Sequence, residues 1–304
     1  MNGPVGDVRA TAKRVAERIA VTGRLTRLAL RARRGEVLVL GYHNIVPDGE
    51  PMIGDRSLHL PQRQFAAQLD ALVRTHDVIP LEELLGEGGA TSRPTAAITF
   101  DDGYRGAMTA GVAELVQRGL PGTVFIPPAY IGDGAFWWDA LEIPAGGGFR
   151  EHALTACRGE EATVRAEASR RGFATRELPP HARCVTLAEL RQAARHLTVG
   201  SHTWSHANVA TLDDDALGRE MARPLGWLRE HVATAIPWLA YPYGRSSPAA
   251  EQAATRVGYA GSLLISGGWT TRPPRSVQAV PRLDVPGEVS LDGFALRIAG
   301  LVGG

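Results

Sequence analysis

Asp101 and Asp102 stand side by side in Thr99-Phe100-Asp101-Asp102-Gly103-Tyr104, at the end of an apolar run. Like charges this close raise at least one pKa unless a cation neutralises them, so the pair suggests one metal ligand beside one general base. By itself an Asp-Asp-Gly turn is as readily a loop or a helix cap. A second cluster, Gly200-Ser201-His202-Thr203-Trp204-Ser205-His206, closes another apolar run. On one helical turn residues i and i+4 share a face, so both imidazoles could reach one ion. A lone histidine pair also serves as a cap or as surface decoration. Together the two clusters predict a His-His-Asp centre with open positions for water and a substrate oxygen. Two imidazoles and a carboxylate suit Zn2+ best, and Co2+, Ni2+, Mn2+ or Fe2+ fit the same set.

Something must bring these clusters together. Apolar or β-branched runs predict strands over 36–45, 96–101, 122–131, 197–202, 238–243 and 259–265. Helical periodicity lies between them over 61–74, 105–118, 187–195, 213–231 and 248–257, with Asp213 placed to cap and Pro248 suited to a first turn. Such alternation is the order of strand-helix units around a parallel sheet, and the candidate residues fall at the C-terminal ends of strands, where parallel barrels place their chemistry. Residues 144–180 break the rhythm, with Gly146, Gly147 and Gly148 followed by a stretch rich in Arg, Glu and Ala. This insertion reads as a helical cap over the site or as a loose excursion.

The chain has 304 residues, 44% hydrophobic and 21% charged, which suits one large α/β domain over residues 36–304. A formal net charge of +1 offers no global attraction to nucleic acid. Residues 1–35 read as a separate basic arm: from Val8 to Arg34, Val8, Ala12, Val15 and Ile19 are spaced for one helical face, nine Lys or Arg residues are interleaved, and Gly23 is a break. This arm is a solvated helix or a peripheral membrane or partner contact. There is no secretory pattern and no run of about 18 apolar residues, so the expected location is cytoplasmic, or membrane-peripheral through the arm. Cys157 and Cys184 show no paired spacing and read as incidental thiols.

The motifs TFDDGY at 99–104, SHTWSH at 201–206 and YPYG at 241–244, in this order, resemble the polysaccharide deacetylase family, carbohydrate esterase family 4, over roughly residues 36–285. The resemblance implies a distorted (β/α)7-type barrel. It further implies Asp101 as general base, Asp102, His202 and His206 as metal ligands, and the Tyr243 N–H after Pro242 as an oxyanion donor. The implied substrate is an acetylated amino sugar, lipid-linked, nucleotide-linked or a small glycoside. The metal would polarise the acetyl carbonyl and acidify water while Asp101 takes the proton.

The chain departs from the family pattern twice. Where relatives carry a base-orienting arginine two residues before the proline, this chain has Ala240; Arg282, in Val280-Pro281-Arg282-Leu283-Asp284, is the candidate replacement. The family's late general-acid histidine is absent, since no histidine follows His231, and His43 in Gly41-Tyr42-His43-Asn44 is the candidate in its place. Phe136-Trp137-Trp138-Asp139 resembles a fourth motif. Trp137, Trp138 and Asp139, with Tyr104 and Tyr241, are candidate sugar contacts, because aromatic faces stack on sugar rings. Trp204 is expected as a wall of the metal centre. The competing readings are a metal-dependent amidase on a cyclic non-sugar amide and a catalytically silent glycan binder.

Overall fold

The computed structural model describes residues 24–88, 91–144 and 146–303. Most of the expected basic arm therefore lies outside the described residues; its last part forms helix α1 (Arg24–Ala32), which presents Leu25 and Leu28 to solvent. It enters at the N-terminal end of β1 (Glu36–Tyr42). Among the described residues no helix is long and apolar enough to cross a membrane.

The remaining strands are β2 (Asn44–Val46), β3 (His59–Pro61), β4 (Asp77–Val78), β5 (Thr95–Phe100), β6 (Thr123–Ile126), β7 (Thr198–Ser201), β8 (Ala235–Ala240), β9 (Gly261–Leu263), β10 (Trp269–Thr271) and β11 (Leu283–Asp284). They form a sheet of order β10-β1-β5-β6-β7-β8-β9, while β2 and β3 pair separately. All neighbours from β1 to β9 along this path are parallel. β11 pairs in parallel with β1, and Val280 bridges Leu263 of β9 in parallel. The Val280–Asp284 segment thus stands between β9 and β1 and joins the two edges of a strongly curled sheet. The result is the distorted (β/α)7-type barrel expected from the sequence.

The helices are α2 (Gln62–Val73), a π-turn (Ala107–Gly111) running into α3 (Val112–Arg118), α4 (Trp137–Ala140), α5 (Phe149–Thr155), α6 (Glu161–Arg170), α7 (Leu187–Ala193), α8 (Asp214–His231), α9 (Pro248–Val257) and α10 (Leu291–Ile298). The Asp213 side chain caps α8 by accepting from the Ala216 N–H at 2.9 Å, and Pro248 occupies the first turn of α9. The long first strand expected over 36–45 breaks at His43 into β1 and β2. The expected insertion, read as cap or excursion, contains α5 and α6 among its described residues. Cys157 and Cys184 are both buried free thiols.

Alternation along the strands sorts two cores. Val37 and Val39 of β1, Ala97 of β5, Phe125 of β6, Trp238 and Ala240 of β8, Leu263 and Val280 form one cluster, which fills the barrel. Leu38, Leu40, Tyr42, Ile98, Phe100, Val124 and Ile126 face outward into the helical layer. The interior is tight at Gly200, where an added Cβ would come 2.5 Å from the Phe125 ring and 2.9 Å from the Trp238 carbonyl. Gly200→Ala is expected to cost about 1–3 kcal/mol by overpacking, read as a lower urea midpoint with an unchanged slope.

Candidate active site

Asp101, Asp102 and His202 follow a strand end by one or two residues, Tyr243 by three and His206 by five. Asp101 continues β5 and donates its N–H to the Tyr42 carbonyl at 2.9 Å. The chain then turns sharply: Asp102 (φ 70°) and Gly103 (φ 68°) both take the left-handed region, and a Cβ on Gly103 would meet the Ile126 side chain at 2.7 Å. Only glycine fits there. The turn is held from outside by the Cys184 thiol, which donates to the Asp102 carbonyl at 3.5 Å, and by the Val185 N–H on the Gly103 carbonyl at 3.1 Å.

His202 and His206 converge, but not on a helical turn as their spacing suggested. The segment is a bend in which Thr203 (φ 62°) and His206 (φ 60°) are left-handed. Glu220 of α8 fixes this bend, its carboxylate accepting from the Trp204 and Ser205 N–H groups at 3.1 and 2.9 Å and from the Ser205 hydroxyl at 2.8 Å. Of the six described non-glycine residues with positive φ, Asp102, Thr203, His206 and Tyr243 belong to the three motifs. Strain concentrated in this way marks a functional centre.

The donor atoms of Asp102, His202 and His206 lie within 4.8 Å of one another, all buried. Asp102 Oδ1 is 3.1 Å from His206 Nε2 and 3.5 Å from His202 Nε2, yet accepts no well-formed hydrogen bond. His202 Nδ1 faces the Ala240 carbonyl at 2.7 Å, so the proton sits there and Nε2 keeps its lone pair. Burial pushes the His202 pKa down to about 4, leaving the ring neutral. Burial opposes ionisation of Asp102, but His206, His43 and His202 together more than offset it and the carboxyl stays below its usual range. An ionised carboxylate and lone pairs of buried imidazoles, with an oxygen left unpaired, fit a divalent cation.

Arg282 supplies what Ala240 lacks. Its Nη1 and Nη2 donate to Asp101 Oδ1 and Oδ2 at 2.7 and 2.5 Å, Nη1 also reaches Thr99 Oγ1 at 3.1 Å, and Nε donates to the Leu264 carbonyl at 3.2 Å. Val280 and Arg282 alternate onto the same inner face, so the guanidinium rises inside the barrel. Gly41 opposite leaves it room, since a Cβ there would lie 3.1 Å from Nε. Burial raises the Asp101 pKa, but the guanidinium outweighs it and holds the carboxyl at about 2.

A cavity of about 290 Å³ opens over these groups. Asp101, Asp102, His202 and His206 line it together with His43, Trp138 and Tyr243. Tyr243 is left-handed (φ 59°), and its N–H has no protein acceptor among the described residues. Its ring meets His206 edge-on at 4.6 Å, and the Trp138 ring is 4.9 Å from His206 on another side.

The sequence model of the family described as polysaccharide deacetylase matches residues 88–262. The chain belongs to this family. Among solved structures, it is similar to the Streptococcus pyogenes deacetylase PplD in complex with acetate (15% identity, TM-score 0.59, covering 86% of this chain and 96% of that one). Similar folds are IcaB from Ammonifex degensii (18%, TM-score 0.61, covering 88% and 97%) and the de-N-acetylase from Aggregatibacter actinomycetemcomitans (14%, TM-score 0.62, covering 88% and 100%). At these identities the likeness is one of fold. No curated protein matches the chain in sequence.

Within this member of the family, several expected sugar contacts do not reach the cavity. Tyr241 alternates with Ala240 and so points outward with Leu239 into the layer under α8 and α9, its hydroxyl donating to the Gln278 carbonyl at 3.0 Å. Trp137 is buried, and its ring meets Phe149 edge-on at 6.3 Å. Asp139 and Tyr104 belong to a closed network: the Tyr104 hydroxyl donates to Asp139 Oδ2 at 2.5 Å and accepts from Trp138 Nε1 at 2.9 Å, while His59 Nε2 lies 2.9 Å from Asp139 Oδ1. A buried carboxylate needs such partners, which is why Asp139 turns inward. The network fixes Trp138, which does line the cavity. Trp204 is not a wall of the centre; its ring lies under Arg223 at 3.5 Å on the α8 side. Sequence reasoning passed over Asp284, Arg150, Arg245 and Ser57, all on the cavity lining. Asp284 and Arg245 could have been found from their places beside Arg282 and directly after YPYG.

Arg282→Met is expected to destabilise the fold by about 3–5 kcal/mol, because it leaves a buried carboxylate unpaired. Adding Asp101→Asn should recover a large part of that loss, read from urea unfolding of the two single variants and the double. Additive losses would mean that the pair is not energetically coupled.

Proposed function

We propose that this protein is a metal-dependent hydrolase that removes the N-acetyl group from an amino-sugar-containing substrate, and that Asp101 is its general base. The observation that carries the reading is the bidentate, buried Arg282–Asp101 pair beside the Asp102-His202-His206 cluster. A silent glycan binder has no use for an ionised carboxylate whose missing orienter has been rebuilt from another strand.

Asp102, His202 and His206 would hold the cation, with Zn2+ the best match to the donor set and Co2+, Ni2+, Mn2+ or Fe2+ compatible. When bound, it supplies Lewis acidity toward the acetyl carbonyl and the attacking water. Asp101 takes the proton from that water, and the Arg282 fork keeps the carboxylate ionised and aimed. The free Tyr243 N–H, projected by its left-handed backbone, donates to the oxyanion as the carbonyl becomes tetrahedral. His43, on the cavity lining directly after β1, delivers a proton to the departing amine nitrogen. Trp138 and Leu154 give the cavity apolar walls suited to the acetyl methyl and a sugar face.

The test is acetate release from a panel of acetylated sugar nucleotides, lipid-linked amino sugars and chitooligosaccharides by metal-reconstituted protein. Chelation should abolish release and re-addition of Zn2+ restore it. Asp101→Asn should lower kcat by about 1,000-fold and His43→Gln by about 100-fold, within the range of general acid–base contributions. Bound metal without release from any member would sink the deacetylase reading.

A further inference from the structure

Two arginines line the cavity beyond the catalytic groups, and neither belongs to a family motif present in this chain. Arg150 comes from α5 in the insertion, and Arg245 follows the Tyr241–Gly244 turn. Their side chains are 53% and 41% exposed, which leaves both guanidinium groups open to a ligand at the mouth. Among the described residues each has a single carboxylate partner: Arg150 Nη1 pairs with Asp55, and Arg245 Nη2 meets Glu151 at 3.3 Å. Neither carboxylate lines the cavity. A guanidinium carries five N–H donors in a planar fork, so most of the donor capacity of both residues is unspent. The Arg245–Glu151 pair is exposed on both sides and so is weak and gives way to a better anion, while Arg150 keeps unspent donors beside its pair with the less exposed Asp55.

The charge around the mouth is divided. Asp284, a further lining carboxylate, stands opposite Gly41 of β1, on the side of Asp101 and His43. Arg150 and Arg245 belong to the insertion and to the loop after β8. Asp101 is already neutralised by Arg282, and Asp102 would be neutralised by the cation. Positive charge is thus gathered on the insertion side of the mouth, where its carboxylate partners Asp55 and Glu151 lie off the cavity lining.

We infer that Arg150 and Arg245 form an anion subsite for a phosphate or diphosphate ester on the acetamido sugar. This inference rests on the proposed deacetylase reading and narrows it to phosphorylated substrates. Paired guanidinium forks match phosphate oxygens in geometry and charge, and a phosphate held there anchors the sugar with its acetamido group toward Asp101. The same chemistry is offered by a nucleotide diphosphate and by a lipid diphosphate. The insertion then has a purpose: α5 brings Arg150 and Leu154 over the mouth.

The experiment uses acetamido sugars of gluco, galacto and manno configuration, each as methyl glycoside, 1-phosphate, nucleotide diphosphate and short-chain polyprenyl diphosphate. Acetate release is measured with Zn2+-loaded protein, and equilibrium binding of the 1-phosphates and methyl glycosides with metal-free protein. The parent is expected to favour phosphorylated members by at least about tenfold in kcat/KM, with Arg150→Gln and Arg245→Gln each removing about tenfold of that and moving the methyl glycosides less than about twofold. Both variants replace exposed side chains and should melt with the parent. Whichever diphosphate arm is faster names the source of the anion. Equal or faster release from methyl glycosides would overturn the subsite and leave the deacetylase intact. Arginine-dependent binding of 1-phosphates without release from any substrate would keep the subsite and overturn the deacetylase; neither binding nor release would overturn both.

Discussion

A carboxylate and a guanidinium can be carried into the interior of a small barrel only if each satisfies the other, because an unpaired buried ion costs several kcal/mol. Arg282 and Asp101 meet that condition with two parallel hydrogen bonds, and much of the surrounding sequence answers to them. Gly41 withholds a side chain where Arg282 passes, and Ala240 stays small on the same inner face. Thr99 offers its hydroxyl and Leu264 its carbonyl, so that all three guanidinium nitrogens donate. The pair also seals the sheet, since Arg282 is borne by the segment that joins β9 to β1.

Asp101 could not be positioned without the closure, and the closure places it beside the Asp102-His202-His206 cluster. Left-handed turns at Asp102, His206 and Tyr243 then do the fine aiming. Each is held by a neighbour: Cys184 behind Asp102, Glu220 of α8 under the histidine bend, and Trp138 and His206 packed around Tyr243. Strain of this kind persists only where surrounding structure over-determines it. The Asp139 network acts one layer further back, by holding Trp138 through Tyr104.

The barrel strands and the helices between them were legible because their burial is periodic. Six strand segments and five helical segments expected from the pattern are present, most with shorter bounds, while β5 and β8 are shifted toward the N-terminus and α9 keeps its expected range. β3, β4, β10 and β11 were not foreseen, because strands of two or three residues carry too little pattern to distinguish from loop. α5 and α6 were foreseen only as one of two options, since the Gly-rich entry and the charged composition of the insertion argue in different directions.

Asp101, Asp102, His202 and His206 could be named from the sequence because their chemistry is written in residue type and close spacing, and Arg282 and His43 because two family positions were empty. The sequence alone thus determined the family and the barrel class, and it named the candidate donor set. Tertiary structure alone decided which neighbours share the site. Whether Tyr241 or Tyr243 faces the cavity depends on the phase of one strand and the left-handed turn after it; whether Asp139 contacts a substrate or a buried tyrosine depends on a network closed by residues 35 and 80 positions away. Arg150 entered the site from a helix whose place over the mouth no local pattern encodes. Side-chain type is a local property, whereas the direction a side chain faces is settled by what packs against its backbone.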